Sequence, residues 1–327
     1  MKNTIMTKHT TKLAGLAASL LALAATASAD VKVNENISVN GYAVGSWTYT
    51  DVDGGGHQET WLDSGENYLD AVKLGALFTY QSVSAYGSVL HIPGRDDEAG
   101  LLEAYATYDS GVGLKLTGGK FLSYLGFEAF DAAAMTQLTY GLTTGIPAYH
   151  TGVKVDYSSG PVSFGVAVVD SIMPDGSGFF EGDLDFDDDV GIEAMVSYTG
   201  IDKLTLFAGI AAEDVDGADD LFTFDFWASY AVTDKFTLAG EYAYHKDPLG
   251  AKTNSWILFA SYAFDSKWSV IGRISGADYK GGGDDLKYTI APTYTINDNL
   301  ALRAELSFGD RDSGDYTFTG VQAVFKF

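Results

Sequence analysis

The chain has no cysteine, which excludes disulfide staples, thiolate metal sites, cysteine nucleophiles and a lipid-modified N-terminal Cys. Proline is scarce at six residues, while 46% of the chain is apolar. That balance argues against disorder, which pairs low hydrophobicity with high charge. Basic residues are also few: 20 Lys and Arg stand against 44 Asp and Glu, a net charge of −24. A phosphate backbone repels such a surface, so nucleic acid is not an expected partner. Beyond residue 29 there is no run of 18 consecutive apolar residues, so no membrane-spanning helix is predicted there. HExxH zinc motifs, phosphate-cradling glycine motifs and nucleophile elbows are missing too.

What is present begins with an export address. Lys2, Lys8 and Lys12 make a basic leader, Leu13 to Ala25 an apolar stretch, and Ala27-Ser28-Ala29 a small-residue cleavage site. This pattern predicts a signal peptide over 1–29, removed after Ala29. The first 29 residues carry three lysines and no acid, so the remaining domain, 30–327, would hold a net charge of −27.

From Val31 onward apolar and polar residues alternate. Phe222, Phe224, Phe226, Ala228 and Tyr230 interleave with Thr223, Asp225, Trp227 and Ser229. Period two is the signature of strands, whose neighbouring side chains face opposite ways. Sixteen runs are predicted, near 37–49, 71–80, 82–91, 102–108, 114–120, 149–157, 162–170, 190–199, 203–212, 221–231, 235–245, 253–264, 267–277, 286–296, 299–308 and 316–327. Eight long connections alternate with seven short ones. That is the pattern of an all-β, transmembrane antiparallel up-and-down barrel of about 16 strands, with long loops at one end and short turns at the other. Tyr80, Tyr108, Tyr157, Tyr198, Tyr230, Tyr262 and Tyr294 each close a strand descending to a short turn. Amphipathic rings favour the headgroup level, so they predict an aromatic girdle against outer-membrane lipid.

One strand face carries Lys73, Glu103, Lys115, Lys154, Asp156, Glu193, Asp225, Glu241, Arg273, Lys287, Arg303, Glu305 and Lys326. A sixteen-stranded barrel is too wide for side chains to fill, so this face should line a watery pore. Its seven cations and six acids nearly balance, whereas the long connections with Asp170 hold 31 acids against five basic residues. Asp183, Asp185, Asp187, Asp188 and Asp189 crowd together, as do Asp214, Asp216, Asp219 and Asp220. Asp183, Asp185 and Asp187 are candidate divalent-cation ligands, although no EF-hand spacing surrounds them. A solvated acidic surface that draws cations to the mouth is the other reading.

The chain ends on a strand in which Val321, Ala323, Phe325 and Phe327 alternate with Gly320, Gln322, Val324 and Lys326. It resembles the C-terminal strand by which outer-membrane barrels are recognised by their assembly machinery. More specifically, Gly119-Lys120-Phe121, Gly126-Phe127-Glu128, Pro147 and His150-Thr151-Gly152-Val153 resemble the OmpL-like putative beta-barrel porin family. The resemblance implies a diffusion porin of the Gram-negative outer membrane. Family members often carry Asn, Ser and Arg between the motif halves, and Met135 to Gly145 here has no basic residue. In general sixteen-stranded porins the third long loop folds inward. By that likeness 121–148 is either a constriction loop or an external cap. As a constriction it would set Glu128 and Asp131 against Lys115, Lys154 or Arg303 and create a transverse field.

Enzymatic chemistry has little to stand on. His91 and His245 sit near strand ends where Asp96, Asp97 and Asp247 could approach, but no Ser-His-Asp arrangement accompanies them. The expected function is not catalytic: a water-filled channel for passive diffusion of small hydrophilic solutes, cation-preferring, with no cofactor. Trimers are the expected assembly, with Ala43 and Gly45 offering a flat outer patch. The competing reading is an adhesin, receptor or scaffold without a conducting pore.

Overall fold

The computed structural model describes residues 30–62, 70–94, 99–173, 190–312 and 314–327. The segment read as a signal peptide, Asp96 and Asp97, and the acidic run 183–189 lie outside the described residues. The chain forms β1 (Val31–Lys32), β2 (Ile37–Val52), β3 (Gly56–Trp61), β4 (Ala71–Tyr80), β5 (Val83–His91) and β6 (Ala99–Asp109). It continues with β7 (Leu114–Leu122), β8 (Tyr149–Ser159), β9 (Val162–Val169), β10 (Val190–Ile201), β11 (Leu204–Asp214) and β12 (Leu221–Thr233). The last third holds β13 (Phe236–Lys246), β14 (Lys252–Ala263), β15 (Trp268–Tyr279), β16 (Asp284–Asn297), β17 (Leu300–Arg311) and β18 (Tyr316–Lys326).

Every pairing is antiparallel and nearly all join sequence neighbours. Apart from the short β1 and β3, the sixteen strands close into a barrel where β18 meets β2, from Tyr316↔Val52 to Lys326↔Tyr42. Closure removes the open edges that a flat sheet of this size would have to protect. Phe327 completes the seam: its N–H and C=O bond the backbone of Gly41 at 3.0 and 3.1 Å.

The two faces follow the alternation. Asp225 and Thr223 on β12 are fully buried, while Phe226 between lipid-side neighbours is 42% exposed. Leu74, Leu258 and Ile290 are more than half exposed, an apolar band that only hydrocarbon satisfies. Tyr80, Tyr108, Tyr157, Tyr198, Tyr230 and Tyr262 are exposed near the short turns, and Tyr294 packs its ring 4.7 Å from that of Trp268.

Sixteen sequence runs correspond to the sixteen barrel strands. The hairpin arm β3 was not among them, because Gly56, His57, Gln58, Glu59 and Thr60 are polar on both faces and leave no period-two signal. It pairs with the upper half of β2, Trp47↔Trp61 to Val52↔Gly56, while the lower half of β2 pairs with β4.

Candidate functional site: the lumen and the segment within it

A segment without regular structure must find partners for its backbone N–H and C=O groups. The stretch between β7 and β8 finds them on the inner wall. Ser123 Oγ donates to Glu193 at 2.6 Å, and the Tyr124 N–H donates to the same carboxylate. The Gly126 N–H donates to Asp225 and the Phe127 N–H to Glu241, both at 2.8 Å. Farther along, the Leu138 and Thr139 N–H groups donate to Glu305 at 2.6 and 3.0 Å. Wall cations take the opposite groups: Arg303 donates to the carbonyls of Ala132 and Ala133, and Arg273 and Lys287 donate to that of Tyr140. Acids receive N–H and cations receive C=O, so the inward charges of β10, β12, β13, β15, β16 and β17 serve as caps for this segment. Phe121 at the end of β7 and the segment's own Leu125 and Leu138 are buried.

Two acids of the segment itself bind the wall. Glu128 pairs with Arg273 and also accepts the Gly141 N–H at 2.6 Å; its side chain is 6% exposed. Asp131 pairs with Lys73 at 3.0 Å and stays 31% exposed, and Lys73 also holds Glu103 at 2.9 Å. Of the cations expected opposite these acids, Lys115 is elsewhere: its partner is Asp109 at 3.6 Å. The reason is height, since Lys115 is the second residue of β7, beside a short turn. Lys154 stands over the rings of Phe121 and Tyr124, and Asp156 accepts the Tyr124 hydroxyl at 2.8 Å. Arg303 reaches the backbone just after Asp131.

Other inward groups had no signal specific enough to single them out. His150 is buried, with Nε2 3.1 Å from Glu193 Oε1 and Nδ1 3.2 Å from the Ser171 carbonyl. Ser123 and His150 both address Glu193, which gives a structural cluster and not an activated nucleophile. His245 Nδ1 lies 2.9 Å from the Thr223 hydroxyl, while Asp247 accepts the N–H groups of Leu249 and Ala251. Glu213, one residue past the run 203–212, lies on β11, faces inward and accepts the Ser171 hydroxyl. Continuing the period from Ala211 would have found it. Among the described residues no three His, Asp or Glu side chains gather as metal ligands; the candidates Asp183, Asp185 and Asp187 lie outside them.

A barrel of sixteen strands with an internal strap between β7 and β8 agrees with a family model described as "Putative beta-barrel porin-2, OmpL-like", which matches residues 76–324. The chain belongs to this family. The porin fold recurs in solved structures: an anion-selective porin from Comamonas acidovorans superposes with a TM-score of 0.69 at 16% identity, over 89% of this chain and 99% of that one. OmpF of Salmonella typhi, in complex with daunomycin, gives 0.70 at 15% identity over 91% of this chain and all of the other. The channel DcaP of Acinetobacter baumannii gives 0.64 at 11%, over 90% and 99%. No curated protein sequence matches significantly. This porin is therefore an outer-membrane channel protein. Its motif residues also have a physical reading, because Gly119 has φ +127° and a Cβ there would lie 2.1 Å from the Ala104 carbonyl. Gly126, at φ +102°, turns the strap so that consecutive N–H groups reach Asp225 and Glu241.

Proposed function

We propose that this porin carries small hydrophilic solutes by passive diffusion, with a preference for cations, through a lumen narrowed by 121–148. The observation that supports the reading is the strap itself, held by charges around the inner wall with Asp131 left about one-third exposed. In this reading Lys115, Lys154, Asp156 and Asp131 meet passing ions. Glu193, Asp225, Glu241, Arg273, Arg303 and Glu305 instead fix the constriction with Glu128. The acidic long loops raise the local cation concentration at the mouth. No step needs a cofactor.

Reconstitution into a planar bilayer under a salt gradient tests this directly. The expected result is an ohmic channel with a reversal potential of cation-selective sign. A reversal potential near zero removes the preference alone. Absence of conductance overturns the channel and favours an adhesin or scaffold.

The same proposal includes export with cleavage after Ala29, insertion guided by the strand ending at Phe327, and assembly as a homotrimer. Leu62 crowds Gly45, whose Cβ would come within 2.7 Å of it, so the Ala43–Gly45 patch is partly covered. A broader flat region supports trimer packing instead: Ala76, Ala85, Gly87, Ala104, Ala106 and Gly118 adjoin one another on the outer face of β4 to β7.

A further inference from the structure

Beside the strap, the inner wall of β5 to β9 carries a strip of aromatic rings, to which the strap adds Tyr124; Tyr105 and Tyr124 both pack at the edge of the cluster around Phe121 and Leu125. Tyr86 and Tyr105 are cross-strand partners on the face that also holds Ser88 and Glu103. Their ring centroids are 5.7 Å apart with a 42° tilt. The Tyr86 ring lies flat because Gly75 is beneath it; a Cβ there would meet the hydroxyl at 2.2 Å. Tyr124 is seated in the same way over Gly165, where a Cβ would fall 2.7 Å from its ring. Between the two sets, β7 presents Gly119, which has no side chain. A ring laid on a glycine keeps one face against the wall and turns the other to the lumen, and all three tyrosines are partly exposed.

Polar groups frame these faces in both senses. Lys154 Nζ is 4.5 Å from the Phe121 ring centre and 5.0 Å from that of Tyr124. Among the described residues it makes no hydrogen bond or ion pair. Asp156 sits beside Tyr124, and Glu103 beside Ser88. Donors and acceptors are thus both within the strip, which suits a polyhydroxylated ring.

We propose that this wall is a solute-binding ledge for carbohydrate. The C–H face of a sugar ring packs on Tyr86, Tyr105 and Tyr124, as apolar groups do on aromatic faces. Its hydroxyls accept from Lys154 and donate to Asp156 and Glu103. The idea deepens the diffusion reading of the same lumen and rests on it for how the sugar arrives. It does not require the cation preference.

Calorimetry on the folded barrel in detergent tests binding, with cellobiose as probe, whose equatorial hydroxyls leave flat C–H faces. Sorbitol is the ringless control. Saturable binding of cellobiose near the millimolar range is expected, with none for sorbitol. Tyr105→Ala and Lys154→Ala should each weaken it by about tenfold, while Tyr105→Phe keeps the ring and most of the affinity. Heat-modifiable gel mobility reports folding of each variant, and where Tyr105→Ala fails to fold, Lys154→Ala against Tyr105→Phe decides. Equal affinities for cellobiose and sorbitol, no cellobiose binding, or unchanged affinity in the folded Ala variants would each overturn the ledge. Bilayer conductance of the same preparations is the separate readout. A conducting barrel that binds no sugar refutes the ledge and keeps the channel, whereas a barrel that binds sugar without conducting refutes diffusion and keeps the ledge.

Discussion

Glu128 and Asp131 are three residues apart, yet their surroundings give them different work. Glu128 is sealed against Arg273, so Glu128→Gln should loosen the strap, seen as larger current fluctuations in single-channel records. Asp131 is partly open. Asp131→Asn should therefore lower the cation-over-anion permeability ratio by about two- to fivefold, the equivalent of about 0.5–1 kcal/mol between partly screened charges. On the reading of 183–189 as a solvated acidic surface, neutralising two of its acids should change the ratio less than the Glu128→Gln, Asp131→Asn pair, because solvated charges are screened within about 8 Å at physiological salt. The reverse order in reversal-potential measurements would argue that 121–148 is no selectivity element. Backbone geometry sets a second expectation: at φ +127° and against the Ala104 carbonyl, Gly119→Ala should cost about 2–4 kcal/mol. A urea refolding midpoint equal to the wild type would refute that.

The strap is the element through which wall charge acts. Replacing 129–145 with a short glycine linker should raise single-channel conductance by about twofold or more, if resistance concentrates at a narrow section. An unchanged conductance would place the resistance elsewhere. The short turns carry their own pH dependence. Between β14 and β15, the Lys267 and Trp268 N–H groups donate to Asp265 at 2.7 and 2.9 Å. These bonds hold its carboxyl below the usual range. A depressed carboxyl stabilises the fold above its unfolded value, and the benefit disappears as pH falls through the folded one. Asp265→Ala should accordingly lower the urea midpoint at neutral pH and match the wild type in strong acid; a pH-independent difference would exclude the carboxylate as the cause.

For the molecule as a whole, charge and assembly are separate questions. If acidic loops set the proposed cation preference through solution, that preference should fall as salt rises toward 1 M, where the screening length is about 3 Å. A preference that holds at high salt would point to the strap alone. Trimer packing on the flat face of β4 to β7 needs small side chains, and Gly87→Trp should release monomers in native mass spectra from mild detergent while barrel mobility on gels stays folded. A wild type that is already monomeric would remove the trimer.

Period two, the alternation of long and short connections, and the row of tyrosines at strand ends determined the barrel without any coordinates. These are local consequences of a strand facing lipid on one side and water on the other, so each run reports its own environment. Which charges belong inward was legible for the same reason, from Lys73 to Lys326. Their partners were not. Glu128 meets Arg273 across 145 positions and Leu138 meets Glu305 across 167, distances at which no period or spacing carries information. The strap lies inside because its backbone groups need partners that the wall supplies. Only the closed barrel brings those strands to one level, and so only the tertiary structure decided that most inward charges hold a loop while a few, Asp131 and Lys154 among them, remain open to the lumen.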